Sequence, residues 1–387
     1  MTEPNNLVLA GGTVVNPLDG SSQQADVAVA DGRVTAIGPS LPTAGATVLD
    51  CAQHLVTPGL VDAHSHIFAK VSKVGAPPEE AHLQRGVVAV ADAGSVGAST
   101  FRAFREYVAQ PARLRVLSLV NVSVLGLIDF RFGELVNPET LVPEDAVEVC
   151  AANRDIVRGL KIRLSTDVVG DRCLPLLQAA VKVGDQAGLP LMVHIGETAA
   201  SLAEILDNLR PGDIVAHCYT GKEHGILDGD GKVLDAVRAA RQRGVLFECA
   251  HGKSNFSYKV AGPAIEQGFL PDLVCSDTSY RNWNGPVFDL LTTMSKLVAL
   301  GMSFDEVLER ATVAPARFLG LWDEGYGRLE VGGPAHLSVF SWVDGTQELP
   351  DAAGNTMPVQ RLEPRWTVVG GEVVEAVPWR GTVPSAS

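Results

Sequence analysis

Pro58-Gly59-Leu60-Val61-Asp62-Ala63-His64-Ser65-His66 is an apolar run that ends in two histidines. Leu60, Val61 and Ala63 suit a buried strand, whose period of two turns His64 and His66 toward the same side. Two neutral imidazoles converging at a strand end make half of a transition-metal site. The same pair could also be a buried, hydrogen-bonded couple that binds nothing, so the surrounding chain has to decide.

Outward from this stretch, short β-branched runs alternate with helical segments. The strands expected are Leu60–Ala63, Val87–Ala91, Val116–Val120, Leu160–Leu164, Leu191–His194, Ile214–His217, Val245–Cys249 and Leu273–Ser276. Between the later ones lie helical stretches at Cys173–Ala187, Ser201–Leu209, Val233–Arg243 and Val287–Ala299. Alternation of this kind predicts βα units and a parallel sheet, and eight units over about 250 residues predict an α/β fold, the (β/α)8 TIM barrel.

The ends differ from the middle and resemble each other. Ala25–Ala30, Asp31-Gly32 and Arg33–Ile37 form a hairpin signal, and Arg365–Val369, Gly370-Gly371 and Glu372–Val374 repeat it. His336–Phe340 adds another strand. The expected organisation is a small β-sandwich domain built from both termini, residues 1–57 and 321–387, around a catalytic barrel at 58–320.

In such a barrel, active-site residues sit at the carboxyl ends of strands. The polar residues at or just past the ends of the expected strands are His64, His66, Asp92, Asn121, Lys161, Arg163, His194, His217, His251 and Asp277. Lys161 and Arg163 lie two apart inside an apolar strand. A buried ammonium is costly unless paired or neutralised, which leaves a salt bridge to Asp277 or Asp92, or carbamylation by CO2 into a carboxylate that bridges two cations. Asp277 could bind a metal and take a proton from its water, or simply cap a helix. His251 could be a ligand, a substrate contact or a core histidine. His54, His82, His224 and His336 read as packing or surface residues.

Bulk properties narrow the function. The chain has 387 residues, 46% of them hydrophobic, and Lys+Arg 31 against Asp+Glu 45 gives a net charge of −14. With no basic run, nucleic acid and anionic membranes are not expected partners. The start lacks a basic n-region and apolar core, and the apolar stretch from Val116 to Ile128 is too short and polar to span a bilayer. Six cysteines without a framework spacing read as buried thiols in a reducing compartment, so a cytoplasmic location is expected.

With the constellation assembled, the chain resembles the amidohydrolase superfamily, in particular its metal-dependent deacetylase branch near dihydroorotases and D-aminoacylases. The resemblance rests on 58–66, on Gly159-Leu160-Lys161-Ile162-Arg163, on Val193-His194-Ile195-Gly196-Glu197, and on Ala216-His217-Cys218-Tyr219-Thr220-Gly221. Ala250–Phe256, Ser276-Asp277, Asn284–Val287 and Thr293–Lys296 extend it. It implies two divalent metal ions, zinc first. His64, His66, Lys161 and Asp277 would hold the more buried one, and carbamylated Lys161, His194 and His217 the more exposed one. It departs from the usual pattern at His336, where Asp is common, and around Cys249-Ala250 and Thr278-Ser279-Tyr280, so no relative's substrate transfers directly.

The implied reaction is attack of a metal-bridging hydroxide on a carbonyl carbon, with Asp277 moving the proton to the leaving atom. Arg163 is expected to bind a substrate carboxylate, or to form a salt bridge inside the barrel, and Tyr219 and His251 to orient the substrate. The expected substrate is a small N-acyl or O-acyl compound bearing a carboxylate. A cyclic amide hydrolase of the dihydroorotase or hydantoinase type is the second reading, and a non-catalytic scaffold is a third, opposed by retention of every ligand. The fold admits a homo-oligomer, although no coiled coil marks an interface.

Overall fold

Near-continuous runs of Val, Leu and Ala in the middle of the chain have no polar face to offer water, so they are stable only as strands covered on both sides. In the computed structural model, which describes residues 7–377, eight of them form one parallel sheet: β6 (Leu60–Ser65), β7 (Val87–Ala93), β8 (Arg115–Asn121), β9 (Val157–Arg163), β10 (Leu191–His194), β11 (Ile214–Ala216), β12 (Leu246–Ala250) and β13 (Leu273–Cys275). Adjacent strands pair in sequence order, and every ladder is parallel. Each expected strand is present. β6 runs on to Ser65, so His64 ends inside the ladder, and β9 begins earlier than expected, at Val157.

The barrel closes where β13 meets β6. The His66 N–H donates to Thr278 O at 2.9 Å, and the Asp277 N–H donates to His64 O at 2.8 Å. Helices cover the outside, among them Cys173–Ala187, whose bounds match the expectation, and Leu290–Ala299. One core packs between helices and sheet, and a second fills the barrel with small and branched residues such as Val61, Ala91, Leu119 and Ala216.

Both ends of the chain meet in a second sheet. It takes β1 (Leu7–Asn16), β2 (Ser21–Ala30), β3 (Arg33–Gly38), β4 (Thr47–Asp50) and β5 (Leu55–Pro58) from one end, and β14 (Leu337–Trp342), β17 (Leu362–Val369) and β18 (Glu372–Glu375) from the other. Its order is β18-β17-β14-β5-β1-β2-β3, with β4 also on β1. The strands are continuous in hydrogen bonding, yet the sheet folds over one core of Leu9, Val27, Val56, Val339 and Val368. Both glycine-containing hairpin turns lie where the sequence puts them. A separate hairpin, β15 (Gln347–Pro350) and β16 (Thr356–Val359), packs Leu349 and Val359 on Phe288. No helix among the described residues is long and apolar enough to cross a membrane.

Candidate metal-dependent active site

At the carboxyl ends of the barrel strands opens a cavity of about 580 Å³. His64, His66, Lys161, Arg163, His194, His217 and Asp277 all line it. Seven residues scattered over more than two hundred positions converge because each ends or adjoins the end of a strand in one parallel barrel.

The imidazoles are oriented from behind. His64 Nδ1 hydrogen-bonds to the carboxylate of Glu248, a buried residue in the middle of β12. His66 Nδ1 meets Ser95 Oγ at 2.8 Å, and His217 Nδ1 meets Ala250 O at 2.9 Å. These contacts set the tautomer and leave each Nε2 facing the cavity, the arrangement that supports metal-ligating histidines. His194 packs edge-on against His217, ring centroids 4.5 Å apart, and its Nε2 is buried with no hydrogen-bond partner. An imidazole nitrogen left unmet in a polar pocket is costly unless something binds it.

Burial holds His64, His194 and His217 in the neutral form that ligates. It is the main cause in each case, and His217 falls to about 3. For Asp277 burial pushes upward, but the hydrogen bond with His66 and the neighbouring imidazoles win and hold it well below the usual carboxylate range. Its Oδ1 lies 3.3 Å from His66 Nε2 and 3.8 Å from His64 Nε2. His64, His217 and Asp277 each offer an atom within 4.8 Å of the others. Donor chemistry, spacing and the orphaned His194 nitrogen fit a metal cluster.

Lys161 lies on the cavity floor, 3% exposed, with Nζ 3.1 Å from His64 Nε2 and 3.4 Å from Met192 Sδ. Neither Asp277 nor Asp92 pairs with it; among the described residues no carboxylate lies within 4 Å. Burial lowers its pKa against the pull of Glu248 and Asp277. Gly94 makes room for it: a Cβ there would sit 2.6 Å from Lys161 Cγ. Asp277 is accommodated in the same way by Gly252, where a Cβ would sit 2.2 Å from Oδ2. His217 and Asp277 themselves hold positive φ, 63° and 50°. Such backbone strain in non-glycine residues clusters at functional sites.

The other strand-end residues brace the site. Asp92 accepts from the Ile67 and Ser95 N–H groups, and Asn121 bonds Gly94 O and the Ser123 N–H. Asp62 accepts from Ser276, and burial pushes it up to about 7.

Arg163 pairs at 2.7 Å with Glu134, a nearly buried loop residue that no sequence pattern marks. Its other edge lies 3.6 Å from Asp167. Two expectations need correction. Tyr219 is fully buried, donates its hydroxyl to Phe269 O at 2.8 Å and does not line the cavity, so it has no reach to a substrate. His251 is fully buried behind the cavity wall, stacked on Phe256, its Nδ1 on Gly252 O and its Nε2 on Lys296 Nζ.

The sequence profile of the amidohydrolase family matches residues 55–374. The chain belongs to the amidohydrolase family. This amidohydrolase is 35% identical to a deacetylase of Agrobacterium fabrum over 349 residues, 89% of this chain and 85% of that one. It is 32% identical to a deacetylase of Enterococcus faecalis over 376 residues, 96% and 99% of the two chains. A crystal structure of a dihydroorotase superposes with TM-score 0.90 at 34% identity, covering 97% of this chain and 99% of that one. The amidohydrolase therefore carries the barrel and terminal sheet of its relatives along essentially its whole length.

Proposed function

We propose that this amidohydrolase is a binuclear metal-dependent hydrolase that removes an acyl group from a small carboxylate-bearing compound. The convergence of His64, His217 and Asp277 on one point of the cavity floor carries the reading. Relatives named as deacetylases over most of the chain support the choice of a linear acyl bond.

In this reading His64, His66, Lys161 and Asp277 would hold one divalent ion, and Lys161, His194 and His217 the other, with zinc the best match to a His and carboxylate donor set. Lys161 would serve as a carbamate, its neutral amine nitrogen bonding the carbon of CO2 and losing a proton. The absence of a carboxylate partner leaves that amine free for the reaction. Bound cations would supply an acidified water and an electrophile for the substrate carbonyl.

Asp277 takes the proton of the attacking water and delivers it to the leaving nitrogen or oxygen. Its depressed pKa keeps it ionised and ready to accept at neutral pH. Glu248 and Ser95 keep the ligand rings from turning. Arg163 contacts the substrate from the wall, oriented by Glu134. A small molecule fits a cavity of about 580 Å³. The six free, buried cysteines support a reducing, cytoplasmic setting.

The dihydroorotase structure favours a second reading, a ring-opening amide hydrolase. One experiment tests both: the protein, loaded with zinc in bicarbonate, is assayed on N-acetyl amino acids, O-acetyl hydroxy acids and ring amides. Turnover of the linear compounds supports the proposal. Turnover of ring amides alone transfers it to the second reading, and two bound metals with no turnover of any class would sink both.

A further inference from the structure

Besides Lys161 on its floor, the cavity is lined by four Lys and Arg side chains, Arg163, Lys222, Lys253 and Arg281, and they are not equivalent. Lys222 Nζ lies 2.9 Å from Glu197. Arg163 is spoken for by Glu134 at 2.7 Å, with side chains 14% and 5% exposed, and by Asp167 on its other edge. A substrate carboxylate brought to Arg163 would place two carboxylates on one guanidinium in a poorly solvated corner, where like charges repel strongly. The pair can donate hydrogen bonds, but its net charge is already cancelled.

Arg281 has no such partner, and neither has Lys253; among the described residues no carboxylate lies within 4 Å of either, but only Arg281 is held by a ring. It comes four residues after Asp277, on the loop that Asn282 ties back by donating to Asp277 O at 2.8 Å. Its guanidinium lies 4.9 Å from the centroid of the Phe130 ring, the same ring that Arg163 approaches at 5.4 Å. Stacking on a ring restrains a long side chain and leaves its in-plane N–H donors open to a planar anion. Phe130 thus touches both a neutralised pair, Arg163 with Glu134, and an uncompensated cation.

We infer that Arg281, and not Arg163, supplies the net charge that selects the substrate's carboxylate. This rests on the hydrolase reading for the identity of the substrate, but not for the position of the charge. Arg281 is a specificity residue on the rim, and Arg163 reads shape and hydrogen bonds without discriminating charge.

The test compares N-acetyl amino acids with their uncharged carboxamides on the zinc-loaded enzyme. Arg281→Met should raise KM for the acids by roughly 10- to 100-fold, the range of a lost charge-assisted contact, with kcat and the carboxamides little changed. Arg281→Lys should restore part of the loss. Arg163→Met should affect acids and carboxamides alike. A charge-selective loss in Arg163→Met with none in Arg281→Met overturns the inference, as does an equal effect of Arg281→Met on both series. If neither series turns over, the hydrolase reading fails by itself, and calorimetry with acetate and N-acetylglycine decides the charge site: affinity lost in Arg281→Met keeps it, and unchanged affinity removes it.

Discussion

Two lysines of this chain are buried as deeply as side chains can be, and they occupy opposite situations. Lys296, in the helix Leu290–Ala299, is fully enclosed. Its Nζ lies 2.8 Å from each of His251 Nε2, Pro286 O and Pro350 O, one acceptor for each N–H of an ammonium. Lys161 has only an imidazole and a thioether near its amine, and it faces a cavity. Burial is common to both and signals nothing by itself. A satisfied amine is a strut that ties the His251 turn, the Pro286 loop and the β15 hairpin together. An amine with no carbonyl or carboxylate partner, beside imidazoles and Asp277, is the one we propose reacts.

The largest expected effect separates them outright. Lys161→Ala should lose the metal pair and turnover, with partial recovery in high bicarbonate and a small carboxylic acid. Lys296→Met should still bind two metals per chain. Plasma mass spectrometry with kcat/KM reads both, and a Lys161→Ala enzyme with normal metal and turnover would erase the distinction. Next comes Asp277→Asn, which should keep much of the metal while kcat falls about 10²- to 10⁴-fold, the usual worth of a positioned proton acceptor; retained kcat would mean the proton moves elsewhere.

A smaller effect is expected in stability. Lys296→Met leaves an imidazole nitrogen and two carbonyls without their donor and should cost about 1–3 kcal/mol in urea unfolding. Unchanged stability would show that the strut bears nothing.

A last effect is on the pH dependence of stability. Burial is the main cause that brings Lys296 down to about 7 from its ordinary 10.5. Between those values the unfolded chain binds the proton more readily than the folded one, so the Lys296 contribution to stability rises with pH across that window. Lys296→Met should flatten the slope, seen as unfolding midpoints at pH 7 and pH 10. An unaltered slope would place the linkage on another group.

Much of the site is legible in the chain. His64, His66, Lys161, His194, His217 and Asp277 stand out because each interrupts or ends an apolar run, and a parallel barrel sends all such ends to one face. Glu248 carries a similar signal, a carboxylate inside Leu246–Ala250, but it lies within its strand and not at the end, where function is expected. Tyr219 departs from expectation for a definite reason. It lies on the loop after β11, and the left-handed turn at His217 leads that loop so that Tyr219 is buried in the core. Glu134 and Arg281 lie in loops, where no period says which way a side chain points.

The eight strands, the two hairpins at the ends and the polar residues at the strand ends are written in the order of residues alone, because burial on two faces and on alternate faces leaves different, local patterns of side chains. Which residue stands behind each ligand emerges only once the chain is folded. So does the contrast between Arg163, already neutralised, and Arg281, which is not, and between the Lys161 amine, met by an imidazole and a thioether, and that of Lys296, met by three good acceptors. Those are properties of pairs brought together across the fold, and a pair distance is written in no local stretch of the chain.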